Sequence, residues 1–193
     1  GRGRLLGAFQ GEDRILTIAQ SGTYRMTGID LITKFDEDMI LIEKWNPEKP
    51  ISAIYFDPEK ENLYVKRFLA EESDRPVNFT SEEDGARLDF VSTDWLPRVT
   101  LKFDQRSNQR DDEIVELAEF INLKGVKALG NRLTKYKLKS IDPMQPLPHE
   151  DDVSNEELDD DPEPQGNGDG GSESMSEEVE SGMDDQEEAA AEK

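Results

Sequence analysis

From Asp142 onward the chain contains almost nothing that could be buried, and this break constrains the fold more than any other feature of the sequence. Between Asp142 and Lys193 twenty residues are acidic and one is basic, so this stretch carries −19 of the chain's formal −22. Beyond Leu158 its apolar side chains are little more than Met175, Val179, Met183 and three late alanines. Runs such as LDDDPEPQGNGDGGSES mix charge with Gly, Pro and Ser, a composition that buries too little apolar surface to offset the entropy of ordering. Residues 142–193 are therefore expected to be a disordered acidic tail, and the fold must be built from residues 1–141. That front part is nearly balanced in charge, at −3, and can carry a basic face.

The front part reads as all-β. RILTIAQ (14–20) alternates in character and meets TYRMTG across Ser21-Gly22, a hairpin signal. ISAIYF (51–56) and LYVKRF (63–68) flank the polar turn DPEKEN, and ARLDFV (86–91) and RVTLKF (98–103) flank STDWLP. FINLKGVKAL and RLTKYKLK form a fourth expected hairpin across Gly130-Asn131. The turns recur about every 35 to 38 residues, the signature of blades or a β-solenoid; the alternative is chance spacing in an ordinary β domain. DDEIVELAEF (111–120) carries apolar residues at helical spacing, so a short helix competes with a strand there, and FTSEEDGAR (79–87) reads as a loop.

No catalytic constellation is present. With no cysteine, disulfides and thiolate metal sites are excluded. The single histidine, His149, follows Pro148 at the start of the tail and reads as a solvated loop residue without fixed neighbours. There is no P-loop motif. QGNGDGGSESMS (165–176) places Gln165 and Ser176 where a calcium loop needs carboxylates, and so reads as an accident of composition. Paired carboxylates such as Asp36 with Asp38 and Glu82 with Asp84 read as solvated loops. No apolar run approaches the roughly 18 to 20 residues that span a bilayer, and GRGRLLGAFQ is too short in apolar residues for a secretory signal. Without an initiator Met, the chain reads as a fragment or a processed product.

One segment stands out by its charge. KGVKALGNRLTKYKLK (124–139) holds Lys124, Lys127, Arg132, Lys135, Lys137 and Lys139 and no acid. As a strand, its end would place Lys135, Lys137 and Lys139 on one face and Thr134, Tyr136 and Leu138 on the other. Side chains about 6.5 to 7 Å apart on one face can follow a phosphate backbone. Arg25, Lys66 and Arg67 also follow turns, and stacked hairpins would bring them to the same rim. Any single lysine reads as a solubility or edge-protection residue; the cluster, with no acid to neutralise it locally, reads as a phosphate-binding ridge.

AEFINLKGVKALGNRLTKYKLKSI (118–141) and GRGRLLGAFQGEDRILTIAQSGTYRMT (1–27) resemble the C-terminal region of the A subunit of bacterial topoisomerase IV or DNA gyrase, in the form found in Bacteroidetes-like bacteria. The resemblance covers nearly all of residues 1–141. It implies a β-pinwheel, a propeller-like ring of four-stranded blades that binds and bends duplex DNA around a basic rim; four hairpins would supply about two blades. It places Lys124, Lys127 and Arg132 in or near a turn facing DNA. KGVKALGNRL is a degenerate relative of the box with which gyrase wraps DNA tightly, which favours a topoisomerase IV-like role. The family cleaves DNA through a tyrosine preceded by arginine. Here Tyr24, Tyr55, Tyr64 and Tyr136 follow Thr, Ile, Leu and Lys, so cleavage is expected of a catalytic domain upstream of Gly1 and this fragment should be inactive alone.

The expected function is thus nonspecific duplex DNA binding in support of strand passage by a catalytic core. No cofactor is expected in this fragment; ATP and Mg2+ would act through other domains or the partner subunit. The expected partners are DNA, the topoisomerase B subunit and the A-subunit dimer, in the cytoplasm with the nucleoid and without a membrane. The competing reading is an acidic-tailed interaction protein, like a histone chaperone, whose tail engages a basic partner. A tail of this length, with an end-to-end distance of roughly 40 Å, is also expected to fold back and compete with DNA for the ridge.

Overall fold

The structure is a computed structural model that describes residues 6–29, 37–106 and 109–155. The fold is mostly β. Its first sheet has the order β3-β1-β2-β6, formed by β1 (Ile15–Ala19), β2 (Thr23–Thr27), β3 (Met39–Lys44) and β6 (Val77–Asn78). The second sheet has the order β10-β5-β4-β7, formed by β4 (Ile51–Asp57), β5 (Asn62–Phe68), β7 (Arg87–Ser92) and β10 (Asn131–Arg132). The third, β11-β8-β9, is formed by β8 (Arg98–Phe103), β9 (Glu113–Glu116) and β11 (Leu138–Met144). Every pairing is antiparallel.

The second sheet is the middle layer, because the two-residue period of β4 and β5 feeds two cores. Ile51, Ala53, Tyr55, Tyr64 and Phe68 join Leu16, Ile18, Tyr24, Met26 and Phe79 in one cluster. Ile54 and Val65, pointing the other way, join Val99, Leu101, Phe103, Val115, Leu117 and Ile121 in a second. Each Ile, Leu, Val, Phe or Met side chain among them contributes roughly 1.5 to 3 kcal/mol when buried. A strand with apolar residues on both faces is therefore held most firmly between two layers.

Two of the four expected hairpins form. β1 and β2 pair across Ser21-Gly22, where Gly22 takes a φ of 81°. β4 and β5 pair from Ile51↔Phe68 to Asp57↔Asn62; the buried Asp57 carboxylate accepts from the Lys60 N–H at 3.0 Å and closes the turn. The third does not form: β7 pairs with β4, and β8 with β9 and β11. The burial pattern gives the reason. Leu88 packs in the first core and Phe90 against the second, which suits a middle layer. In β8 only Val99, Leu101 and Phe103 are buried, and Arg98, Thr100 and Lys102 face outward, which suits an outer layer.

The fourth expected hairpin fails as well, since β10 pairs with β5 and residues 122–130 form no strand. DDEIVELAEF satisfies both of its competing readings, strand β9 followed by the single helical turn α1 (Leu117–Phe120). FTSEEDGAR is irregular from Phe79 to Ala86. The expected two blades of a pinwheel are replaced by three small sheets, and the described residues form no propeller or pinwheel ring.

The order extends past the expected boundary at 141. β11 runs to Met144, Arg98 donates twice to the Gln145 carbonyl, and the Leu147 N–H donates to the Leu96 carbonyl at 3.0 Å. His149 has fixed neighbours after all: its ring stacks on Trp95 with centroids 4.8 Å apart and planes 14° from parallel. A 3-10 turn, Glu150–Asn155, follows. The expectations for Asp36, for QGNGDGGSESMS and for the tail beyond 155 lie outside the described residues. No helix among the described residues is long and apolar enough to cross a membrane.

Candidate nucleic-acid interface

The basic segment lies along the free edge of β5. The Lys124 N–H donates to the Arg67 carbonyl at 2.8 Å, and the Lys66 ammonium donates to the Val126 carbonyl at 2.9 Å. Asn131 and Arg132 then pair with Val65 and Tyr64, and the Leu133 N–H donates to the Leu63 carbonyl at 2.8 Å. The segment thus descends β5 from Arg67 to Leu63. Gly130 makes this possible. Its φ is +88°, and a Cβ there would lie 2.1 Å from the Val65 carbonyl oxygen, so only glycine allows the backbones to approach this closely.

All six lysines and arginines of the segment are exposed. Lys124, Lys127 and Arg132 project from the stretch along β5. Lys135, Lys137 and Lys139 alternate with the half-buried Tyr136 and Leu138, which pack against the second core. All three lysines are therefore exposed, but the expected strand that would align them on one face does not form, because the chain bends at Lys135-Tyr136 and β11 begins only at Leu138.

The sequence reading of an un-neutralised ridge needs correction. Tertiary structure brings acids that the segment itself lacks: Glu82 lies 3.4 Å from Lys127, and Asp104 lies 3.6 Å from Lys137. Asp142 pairs with Lys102 at 2.6 Å, and its carboxyl is held below the usual range by that ammonium first and by Ser140, with Lys139 adding a smaller effect. Lys124, Arg132 and Lys135 have no ion pair among the described residues.

Lys66 and Arg67 do not reach a rim. Lys66 is 1% exposed and donates to the Phe79 carbonyl at 2.6 Å as well as to Val126, with its ammonium 5.3 Å from the centre of the Tyr55 ring. Burial, with a smaller contribution from the Lys127 charge, lowers its pKa to about 8. Arg67 donates to Ser52 Oγ and to the Trp95 carbonyl, and burial lowers its pKa too. Strand parity explains the error: β5 belongs to the middle layer, so both of its faces are covered. Arg25 is half-buried on β2 opposite Thr17 and belongs to the first sheet rather than to the edge that carries the segment.

The structure adds Arg110, which the sequence gave no reason to single out beside Asp111, Asp112 and Glu113. Its guanidinium carbon sits 4.2 Å from the centre of the Tyr136 ring and 5.1 Å from that of Phe103. The Lys135 ammonium lies 5.2 Å from the same Tyr136 ring. A tyrosine between Lys135 and Lys137 marks a face that attracts cations but does not point to Arg110. Of the tyrosines, Tyr24, Tyr55 and Tyr64 are buried in the first core, and burial raises the pKa of Tyr24 and Tyr55.

In chemical terms, the surface offers donors without a built pocket. It can meet an extended anion at several points, and its spacing is set by a sheet edge rather than by flexible chain. No curated protein and no solved structure matches the chain. The family model for the topoisomerase C-terminal domain of Bacteroidota matches residues 1–145. The β fold and the matched span agree on where the domain lies, and the chain belongs to the family of the topoisomerase C-terminal domain, Bacteroidota.

Proposed function

We propose that the domain binds duplex DNA through its phosphate backbone, and that it serves the A subunit of a topoisomerase IV-like enzyme by holding and bending DNA beside the catalytic core. Lys124, Lys127, Arg132, Lys135, Lys137 and Lys139 are the contact residues, with Arg110 added and Lys66 and Arg67 withdrawn. Within this proposal the B subunit and the A-subunit dimer are partners of the whole enzyme in the cytoplasm. The chemistry that needs ATP and Mg2+ belongs to other parts of that enzyme.

The observation that carries the reading is the fixed course of the segment along β5, which presents Lys124, Lys127 and Arg132 outward from a rigid edge. Phosphate contacts of this kind position DNA without reading its sequence. Six of them would give a salt slope of about −5 in a logarithmic plot of affinity. The test is duplex binding by the full chain across a salt series, with and without Lys124→Glu, Lys127→Glu and Arg132→Glu. We expect the triple variant to lose at least about tenfold in affinity and to flatten the slope by about three. Equal affinity and slope would overturn the proposal.

A further inference from the structure

Lys66 occupies a position where a methionine or leucine would fill the same space at less cost. It lies between Tyr64 and Phe68 on the face of β5 that enters the first core. No carboxylate pairs with it among the described residues, and the charge that acts on it, Lys127, has the same sign. A buried charge without a counterion is expensive, and such groups persist where their hydrogen bonds accomplish something an apolar side chain cannot. Here the ammonium reaches two carbonyls that belong to separate segments. Phe79 follows β6 of the first sheet, and Val126 lies in the stretch between Lys124 and Lys127.

We infer that Lys66 is the positioning residue of the basic surface: its ammonium ties the Lys124–Lys127 stretch to the segment at Phe79 and so fixes how the exposed cations meet a phosphate backbone. This rests on the DNA-binding reading above. The bases read from the sequence as one set divide into two jobs, a buried lysine that holds and exposed lysines that bind. Tyr55 reinforces the tether by donating from its hydroxyl to the Leu129 carbonyl at 2.6 Å. With Lys66 removed, the Val126 and Phe79 carbonyls lose their donor, and the stretch from Gly125 to Leu129 keeps its own turn, Ala128 N–H to the Gly125 carbonyl, the Tyr55 bond, the exposed Lys127–Glu82 pair and the packing of Val126 on the first core.

The ionisable groups that face Lys66 are Tyr55 from β4 and Lys127 from the tethered stretch, the latter paired in turn with Glu82; the Phe79 segment presents a carbonyl. In the unaltered full chain, the backbone NMR signals of Thr80 and Lys127, whose amides adjoin the two acceptor carbonyls, should titrate together with the Lys66 side chain at a pH near about 8. Signals indifferent to that titration would overturn the tether, and this measurement needs no variant that must fold. In parallel, Lys66→Met and Lys66→Gln are compared for amide exchange at residues 124–130 and for affinity to a short linear duplex. We expect faster exchange and about tenfold weaker binding for Lys66→Met, with partial rescue by Lys66→Gln, which keeps a donor. Unchanged exchange and affinity in a folded Lys66→Met would sink the inference. Loss of the duplex by Lys66→Met but not by the Lys124, Lys127 and Arg132 triple variant would sink the DNA reading instead, while the exchange and titration data still decide the tether.

Discussion

The hydroxyl of Tyr55 and the carbonyl of Leu129 lie 2.6 Å apart although 74 positions separate them in the chain. This bond joins the middle of the first core to the outer edge of the second sheet, and it makes the tyrosine more than a core filler. Tyr55→Phe removes the donor and leaves the ring in place. We expect a loss of about 1 kcal/mol in urea denaturation, the usual net value of one hydrogen bond, with faster amide exchange confined to the Leu129 region. A loss spread evenly over all three sheets would assign the hydroxyl no local role.

Gly130 is the most restrictive backbone position of the segment. Alanine there meets a positive φ and a carbonyl oxygen at 2.1 Å, so strand β10 must leave β5 to accommodate it. Gly130→Ala is expected to destabilise by at least about 1 to 2 kcal/mol, beyond the ordinary cost of a left-handed alanine. Thermal unfolding measures the loss, and exchange at Asn131 and Arg132 shows whether the pairing to Val65 and Tyr64 is what breaks.

Lys66 gives stability an alkaline rise. Its pKa is lowered to about 8 in the fold from an ordinary 10.5, so between those values the unfolded chain holds the extra proton and stability increases with pH. Tyr55 acts oppositely higher up, because burial raises its pKa and the unfolded chain ionises first above about pH 10. Denaturant unfolding should therefore show stability climbing by about 1 kcal/mol between roughly pH 7 and pH 9 and falling beyond about pH 10. Lys66→Met should abolish the climb and keep the fall.

Glu82 restrains Lys127 across an exposed contact of 3.4 Å. Exposed pairs of this kind add little to stability but do offset the charge offered to a ligand. Glu82→Gln should leave the melting temperature unchanged and tighten duplex binding at low salt by about two- to threefold, an advantage that disappears as salt is raised. Equal affinity at low salt would show that Lys127 does not face the DNA.

Turns that carry their own local chemistry are legible in the sequence, and the layering of the sheets is not. Ser21-Gly22 and Asp57–Asn62 carry their own turn chemistry, and the hairpins they close are present. STDWLP is similar, yet it joins a strand whose apolar residues meet both cores to one whose buried residues lie on a single face, a distinction that depends on which layers surround them. For the candidate site, the alternation of Lys135, Tyr136, Lys137, Leu138 and Lys139 was visible because it obeys a two-residue period. Lys66 and Arg67 obey the same period, but their strand is covered on both sides, so no alternation could expose them. Glu82, Asp104 and Arg110 reach the segment only through folding, which is why neither its neutralising acids nor its stacked arginine could be read from residues 124–139.

The stacking of His149 on Trp95 has an optical consequence. The chain has two tryptophans, and Trp45 packs against the first core, so Trp95 alone sits where an imidazole covers the indole face. The stacked ring shields one face of the indole from water, so His149→Ala should change the wavelength or intensity of Trp95 emission. The molecule thus carries a native fluorophore at the root of its acidic extension, one that reports without any label whether His149 remains docked on Trp95.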